Sequence, residues 1–499
     1  MRKMAKPFIY FVERFYPDPF VFVIILTAVV FLGVFGLTDA GPVAAVAAWG
    51  GGLAGLLEFI AQISITLVAA HALAHTDAVR RGLERLGAMP RSPMVAYGMV
   101  AFIAGVASLF AWAFGLVVGA LIARQVAIQA KRRGLQLHYP LLVAAAYAGF
   151  VVWHMGYSSS AALFVATPGH ALEEQVGGTI PVTDTIFAGW NVATALVTLV
   201  VVSILMAAMR PRDEEILEIP QRAIDDYQET LRRLDHELGD GGPPPGGGDG
   251  DRASPQQVKQ GTAASGVESP ERPAAAKTET RTETVPGATT TLAQRLDQSR
   301  GLSLAFGLAI LIYLVYWFST EGLNLDLNVV NWSFLCLGLL LARSPLHYVK
   351  LIGNASVTVG QIILQYPFYA GIMGLMIDTG LVSVIAGWFI AISSAATLGF
   401  SAFVSGGLIN MFIPSGGGQW AVQGPIFIEA AQALGTDPSR IVMGVAYGDQ
   451  WTNMIQPFWT IPLLAIAGLH MRQIMGYTFV VFFVTFFLFG GGLLLAGAG

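Results

Sequence analysis

The chain has 499 residues and a formal net charge of −4, and only 12% of its residues are charged while its mean hydropathy is +0.61. Of these charges, 17 of the 32 acidic and 12 of the 28 basic residues lie between Arg210 and Arg300, so the rest could not cover a soluble surface. This excludes a soluble protein. No basic tract suggests that the chain binds nucleic acid. The single cysteine, Cys336, excludes internal disulfides and cysteine-based metal sites.

Apolar stretches long enough to cross a bilayer recur along the chain, which predicts a polytopic membrane protein. The first follows Arg2, Lys3 and Arg14, and it is interpreted as a transmembrane helix rather than a cleaved signal peptide. Two further stretches, 93–123 and 399–434, are interrupted in the middle. The uninterrupted stretches lie near 20–37, 55–75, 140–166, 186–209, 302–319, 327–342, 351–377, 441–468 and 472–497.

Basic residues in the loops predict the orientation of these spans. They place the N-terminus and the 210–300 stretch in the cytoplasm and the C-terminus outside, as in a multi-pass protein of a prokaryotic plasma (inner) membrane. Each interrupted stretch then begins and ends on one face, which predicts a re-entrant hairpin. Two short, complete spans would also return to the same face, and they remain the alternative.

The order of the spans predicts an internal repeat. Residues 49–65 match 348–364 at Trp49/Tyr348 and Gln62/Gln361, and Ala146-Tyr147 matches Ala446-Tyr447. Because one helix joins the halves, the second half should be inverted relative to the first. We therefore expect an all-α membrane fold of two inverted repeats, each with a re-entrant hairpin and a broken helix, about nine spans plus two hairpins. The predicted domains are a first repeat over 1–209, a cytoplasmic linker over 210–300, a connecting helix over 301–320 and a second repeat over 327–499.

The linker has two parts. Residues 213–238 are charged with sparse apolar positions and predict a cytoplasmic helix broken at Pro220. Residues 239–290 are rich in Gly, Pro, Ser and Thr and cannot bury enough apolar surface to order themselves, which predicts a disordered tether.

The sharpest local signal is the sequence Pro414-Ser415-Gly416-Gly417-Gly418. Proline and glycine open the helix, Ser415 can cap, and a half-helix beginning near Gln419 would point free N–H groups at an anion such as a carboxylate. A tight helix crossing that needs small residues is the alternative. The first break, at 112–115, has one glycine, and there an anion site and a tight helix crossing are equally favoured.

Polar residues also mark the two broken spans, around Ser158 in the first half and Thr452 in the second. Hydroxyls, amides and freed carbonyls at this depth suit a coupling cation, Na⁺ or H⁺, and no other cofactor is expected. His71 and His75 have a spacing that could hold a metal, although a solvated pair is favoured. Asp449, Thr452 and Ser158 are predicted to influence the coupling ion. The predicted substrate contacts are Asn410, Ser415, Gly416, Gly417, Gly418, Gln419, Asn453, Trp112, Gly115 and His154.

At these motifs the sequence resembles the short-chain fatty acid transporter family of prokaryotes. The resemblance covers nearly the whole chain outside the linker. The matching pieces are Pro17-Asp18-Pro19, Phe114-Gly115-Leu116-Val117-Val118-Gly119-Ala120, Tyr366-Pro367-Phe368-Tyr369-Ala370-Gly371, Pro414-Ser415-Gly416-Gly417-Gly418 with Trp420, Gln423-Gly424-Pro425, Ala446-Tyr447-Gly448-Asp449-Gln450-Trp451 and Gln456-Pro457-Phe458-Trp459.

The resemblance implies uptake of short monocarboxylates such as butyrate or acetoacetate, and kinship to ion transporters with inverted repeats and re-entrant hairpins. Two features depart from the family: the linker is long, and Ala111 stands where we associate the family with an asparagine. The expected partners are the carboxylate and the lipid bilayer, and a homo-oligomer is left open. Alternatives are an exporter or antiporter of larger carboxylate conjugates, as in the related aminobenzoyl-glutamate transporter family, or a membrane-embedded enzyme. No enzyme signature such as H-E-x-x-H or G-x-S-x-G is present.

Overall fold

A computed structural model describes residues 7, 8, 10, 14, 17–170, 172–236, 291–322 and 327–498, and these residues form helices and no strand. The predicted all-α membrane fold is confirmed. In chain order the helices before the linker are α1 (Pro19–Leu37), α2 (Pro42–Gly52), α3 (Leu57–Ala74), α4 (Asp77–Ala88), α5 (Pro93–Phe110), α6 (Trp112–Arg132), α7 (Tyr139–Gly149), α8 (Ser160–Ala166), α9 (Glu173–Val176), α10 (Gly189–Ala208) and α11 (Gln221–His236).

The helices after the linker repeat most of this order. They are α12 (Leu292–Asp297), α13 (Arg300–Thr320), α14 (Leu327–Leu341), α15 (Pro345–Ala355), α16 (Gly360–Asp378), α17 (Leu381–Ala391), α18 (Leu398–Asn410), α19 (Gly416–Leu434), α20 (Pro438–Thr452), α21 (Thr460–Ala467) and α22 (Met471–Ala498). Short 3₁₀ turns lie at Phe150–Met155, Asp213–Glu215, Ser356–Val359 and Asn453–Ile455.

Nine helical segments of the described chain are long and apolar enough to cross a membrane, so the protein is a multi-pass membrane protein. They include α5 and α6, the two arms of the first predicted hairpin. Each arm alone is long enough to cross a membrane. Helix length is therefore compatible both with a re-entrant hairpin and with the alternative of two complete spans. The bend between the arms is a single extended residue, Ala111, with φ −152° and ψ 121°.

The repeat is visible in the packing as well as in the order. Gly149 of α7 lies so close to α5 that an added Cβ would be 2.5 Å from the Gly105 backbone nitrogen. In the second half, Gly448 of α20 meets α18, and its Cβ would be 2.5 Å from the Gly407 nitrogen. The same contact between hairpin and broken helix therefore occurs twice, and only glycine fits it. The inversion of one half relative to the other stays a prediction.

One expected loop is largely helical. The stretch 38–54 lies between the predicted spans 20–37 and 55–75, but α2 begins at Pro42 and α3 follows after a bend at 53–56. Gly52 serves a close helix crossing here: a Cβ on Gly52 would lie 2.7 Å from the Ala370 carbonyl oxygen of α16. The second half has the matching bend, at Ser356–Val359 between α15 and α16.

The strap, residues 213–236, is the part of the linker that the structure describes. It contains the predicted helix, which begins after Pro220, and it lies across the ends of α3 and α6. The Tyr227 hydroxyl accepts a hydrogen bond of 2.9 Å from Gln125 Nε2, and its ring lies 5.5 Å from that of His75. His75 is only 9% exposed, so the expected solvated histidine pair is wrong. The predicted disorder of 239–290 lies outside the described residues.

An ion pair joins the two halves at one end of the bundle. The Arg343 guanidinium, after α14, donates to Asp77 Oδ2 over 3.0 Å, and Arg80 contacts the other oxygen at 3.2 Å. Burial alone would raise the pKa of Asp77, but the hydrogen bond and charge of Arg343 hold it below its usual value.

Candidate functional site

The two broken spans come apart at matching places. In the first, α7 tightens into the turn Phe150–Met155, and the chain is extended or bent until α8 begins at Ser160. In the second, α20 passes into Asn453–Ile455 before α21 begins at Thr460. Loss of the regular ladder frees backbone groups in the interior of the protein, where only other protein groups or a ligand can satisfy them.

The turn of the second hairpin faces these breaks. Its Ser415 side chain accepts a hydrogen bond of 3.3 Å from the Gly418 nitrogen and caps α19. The helix begins at Gly416, three residues before the position expected from the sequence. The N–H groups of Gly416 and Gly417 belong to the first turn and have no acceptor within the helix.

The turn of the first hairpin is fixed to the first break. The Trp112 nitrogen donates to Ser158 Oγ over 3.0 Å, and Ser158 in turn lies 3.5 Å from the Ser108 carbonyl oxygen. The break falls at Ala111, one residue before the predicted 112–115. Ser158, predicted as an influence on the coupling ion, therefore holds the hairpin tip against the broken helix.

Both turns and both breaks meet around one cavity of about 240 Å³. Four of the predicted substrate contacts line it: Trp112, Ser415, Gly416 and Gly417. The remaining lining residues were not predicted. They are Leu56, Phe59, Trp153, Ser160, Pro414, Phe458 and Trp459.

Aromatic rings form much of the cavity wall. The Trp112 and Trp459 rings lie 4.9 Å apart and nearly perpendicular, and Phe59 lies 6.0 Å from each of them. Trp153 and Trp459 stand beside the polar residues of the broken spans, a position that could have suggested them. No feature of the sequence around Phe59 distinguishes it from a lipid-facing phenylalanine.

Two helix N-termini face the cavity, whose lining contains no basic side chain. No Lys or Arg is among its lining residues. However, α6 begins at Trp112 and α19 at Gly416, so two long helices direct their N-termini to it. Each such end carries roughly half a positive charge, which favours an anion.

Behind Gly416 lies a buried acid–histidine pair. A Cβ on Gly416 would clash with His154 Nε2, so the turn backbone rests directly on that ring. His154 Nε2 is 3.7 Å from Asp449 Oδ1, and both residues are at most 1% exposed. Neither carboxylate oxygen of Asp449 accepts a hydrogen bond from the described residues. His154 therefore lies behind the cavity, between its lining and Asp449.

Three predicted residues near Asp449 fasten the second hairpin to the second broken span. Asn410 Nδ2 lies 2.9 Å from Thr452 Oγ1, 2.7 Å from Asn453 Oδ1 and 2.8 Å from the backbone oxygen of Asp449. Asn410 and Asn453 do not line the cavity. They place the hairpin turn relative to the acid.

Three further predicted contacts also lie outside the lining. Gln419 points back into its own hairpin and donates to Gly406 O over 2.8 Å and to Gln423 Oε1 over 3.0 Å. Gly115 packs on the other arm of the first hairpin, where its Cβ would be 2.7 Å from Ser108 Cα. A Cβ added to Gly418 would lie closest to Ser415 Oγ, at 3.0 Å.

Comparison with known proteins identifies the family. The family model described as "Short chain fatty acid transporter" matches residues 1–240 and 272–496. An Escherichia coli K12 protein named "Putative short-chain fatty acid transporter" is 36% identical over 487 residues, 98% of this chain and 97% of its own. A Haemophilus influenzae protein of the same name is 34% identical over 96% of this chain and 97% of its own.

Among solved structures, the chain is similar to the Alcanivorax borkumensis YdaH transporter, with a TM-score of 0.43 and 15% identity over 97% and 98% of the two chains. It is also similar to Neisseria gonorrhoeae MtrF, with a TM-score of 0.41 and 13% identity over 98% and 97%. These TM-scores are too low to support an argument beyond the sequence relationship. That relationship spans almost the full length of the chain and agrees with the expectation that the chain is no enzyme. The chain belongs to the short chain fatty acid transporter family.

Proposed function

We propose that this protein is a cation-coupled secondary transporter of short-chain monocarboxylates such as butyrate or acetoacetate. The observation that carries the proposal is the cavity at the meeting point of both hairpin turns and both helix breaks. The first turn of α19 offers N–H groups to the carboxylate, and the aromatic wall faces the aliphatic chain. A ligand with one anionic head and a short apolar tail matches both surfaces.

The size of the cavity supports a small acid. Pockets for drug-sized ligands span roughly 300–1,000 Å³, whereas this one measures about 240 Å³. A larger aromatic conjugate would need the wall of Trp112, Phe59 and Trp459 to move. The cavity therefore favours short monocarboxylates over the alternative of larger conjugates.

The surroundings of Asp449 support coupling to a cation. An ionised carboxylate without a donor is costly in a buried site, so Asp449 requires either a proton or a bound cation. The side-chain oxygen of Asn410 also lacks a partner among the described residues, and oxygen ligands suit Na⁺. Protonation of the Asp449 carboxyl itself is the other way to remove its charge. We place the coupling cation at Asp449, 3.7 Å from the histidine that supports the Gly416 turn.

Uptake of labelled butyrate into proteoliposomes tests the proposal. An inward Na⁺ or pH gradient should drive accumulation above the level reached without a gradient, and unlabelled acetoacetate should compete. If neither gradient drives butyrate uptake, the proposed function is wrong. Exchange or efflux of an aromatic conjugate without butyrate transport would favour the alternative.

The matched variant for the coupling step is Asp449→Asn, which removes the charge and keeps the shape. It should abolish the dependence on the driving cation while the protein still binds butyrate. Glu174→Gln is the control, because Glu174 lies in α9 and lines a separate surface cavity that shares no residue with the central one. An Asp449→Asn protein with unchanged Na⁺ and pH dependence would remove Asp449 from the mechanism.

A further inference from the structure

A second cavity, of about 620 Å³, lies at the face that the loop charges predict to be cytoplasmic. We call it the Gln365 vestibule. The start of α1, one side of α16 and the connection from α21 to α22 form its walls, and its lining includes Gln361, Gln365, Leu464, His470 and Arg472. It is distinct from the central cavity, with which it shares no lining residue.

Gln365 marks the vestibule as a binding site. The residue is only 2% exposed, yet it lines the vestibule, and its Oε1 has no hydrogen-bond partner among the described residues. Its Nε2 donates to Gln361 Oε1 over 2.8 Å. Because the two ends of an amide can exchange by a half-turn, the pair can reverse this bond and turn the Gln365 N–H toward a ligand. A buried amide with an unused polar atom calls for a polar ligand.

The charges around the vestibule favour an anion. Arg472 lies in the first turn of the 28-residue helix α22, so its guanidinium and the positive end of the helix act together. Asp18 also lines the vestibule, but its Oδ1 accepts a hydrogen bond of 2.9 Å from the Phe20 nitrogen and caps α1. Leu464 and Ile461 supply an apolar floor. The ligand that fits is again a small carboxylate with an aliphatic tail.

A stacked aromatic pair links a helix of the vestibule wall to the lining of the central cavity. Tyr366 follows Gln365 in the chain, and its ring lies 4.0 Å from that of Phe458 at an angle of 14°. The Tyr366 hydroxyl also donates to the Phe458 carbonyl oxygen over 3.2 Å. Phe458 lines the central cavity, and Ile461, one turn later, lines the vestibule.

We infer that the Gln365 vestibule is a second carboxylate-binding site, held by Arg472 and Gln365, from which substrate exchanges with the central cavity past the Tyr366–Phe458 pair. The inference rests on the proposed function for the identity of the ligand. Its distinctive consequence is that butyrate binds in the vestibule even when the central cavity is closed.

Protection of an introduced thiol tests this directly. In full-length protein carrying Cys336→Ser, Ala465→Cys places a thiol in the vestibule, because Ala465 also lines it and lies outside the Gln361–Gln365 pair. Modification of this thiol by the neutral reagent methyl methanethiosulfonate is timed. At butyrate about twice its dissociation constant, two thirds of the sites are filled and modification should slow about threefold. Butyramide, which has the same tail and no charge, should not protect.

Three backgrounds separate the possible outcomes. With Gly417→Val closing the central cavity, protection should persist; with Arg472→Gln it should be lost; with Arg91→Gln, an exposed arginine outside the vestibule, it should remain. Protection that disappears with Gly417→Val, or survives Arg472→Gln at the same butyrate concentration, overturns the vestibule site. Uptake of butyrate without any protection also overturns it while leaving the proposed function intact. Protection without butyrate uptake overturns the proposed function and leaves the vestibule site intact.

Discussion

Gly417→Val is the sharpest perturbation of the central cavity. Gly417 lines it, and a Cβ added there meets only Ser160 Cβ, at an ordinary contact distance of 3.8 Å. Gly417 is not among the glycines with positive φ, so a residue with a side chain can adopt its backbone conformation. The variant should fold, with its side chain occupying space that the substrate tail uses.

The size of the effect follows from overfilling a small site. Forcing extra methyl groups into a packed volume costs about 1–3 kcal/mol, and about 1.4 kcal/mol corresponds to a tenfold change in affinity. Butyrate binding should therefore weaken about 5- to 150-fold. Acetate is two methylenes shorter and avoids most of the overlap, so it should lose less. The predicted signature is a shift of selectivity from butyrate toward acetate.

Competition against labelled uptake in proteoliposomes measures both affinities, and thermal unfolding measures the fold. Gly416→Ala provides the contrast, because its Cβ would clash with His154 and should lower the unfolding temperature together with transport. Folded Gly417→Val protein that binds butyrate like the wild type would refute the cavity as the substrate site. Equal losses for acetate and butyrate would refute the assignment of the tail to this side of the cavity.

Three further predictions concern the linker and orientation. Deleting 239–290 should leave butyrate uptake largely intact, and a deletion variant that inserts normally without uptake would contradict the tether. A cysteine introduced into 239–290 should resist a membrane-impermeant reagent added to intact cells, since labelling from outside would reverse the predicted orientation. Tyr227→Phe should destabilise the strap by about 1 kcal/mol, because it removes the hydrogen bond from Gln125. Tyr227→Ala should detach the strap, which would be measured as faster proteolysis within 213–236. Unchanged proteolysis of Tyr227→Ala would show that other contacts hold the strap.

The sequence predicted those parts of the fold that depend on backbone chemistry. Pro414 cannot continue a helix and the chain opens there, while the glycines that follow Ser415 form the first turn of α19. The polar residues after Trp153 and after Asp449 likewise coincide with breaks in the helical ladder. The strap helix was predicted because residues 213–238 are charged with sparse apolar positions, and it begins after Pro220, where a break was expected. These signals are local, so they survive without knowledge of the tertiary contacts.

The lining of the cavity could be predicted only in part, because packing decides which residues of a helix face it. Gln419 and Gly115 have side chains suited to a ligand site, but amides and glycines serve helix packing equally well, as they do here. Phe59 and Trp459 were missed for the opposite reason. Aromatic residues that line a cavity have the same composition as those that face lipid. Only the meeting of distant segments distinguishes them.

The electrostatics of the central cavity explain why coupling and recognition belong together in the proposed mechanism. Two helix N-termini supply partial positive charge to the substrate carboxylate, but an ionised Asp449 behind Gly416 would oppose it. Binding of an anion alone would therefore place two like charges on opposite sides of one glycine turn. A proton or cation at Asp449 removes that repulsion, so each ligand strengthens the binding of the other by the same factor. The absence of a basic side chain from the lining makes this dependence strong, since a resident Lys or Arg would neutralise the substrate without any coupling ion.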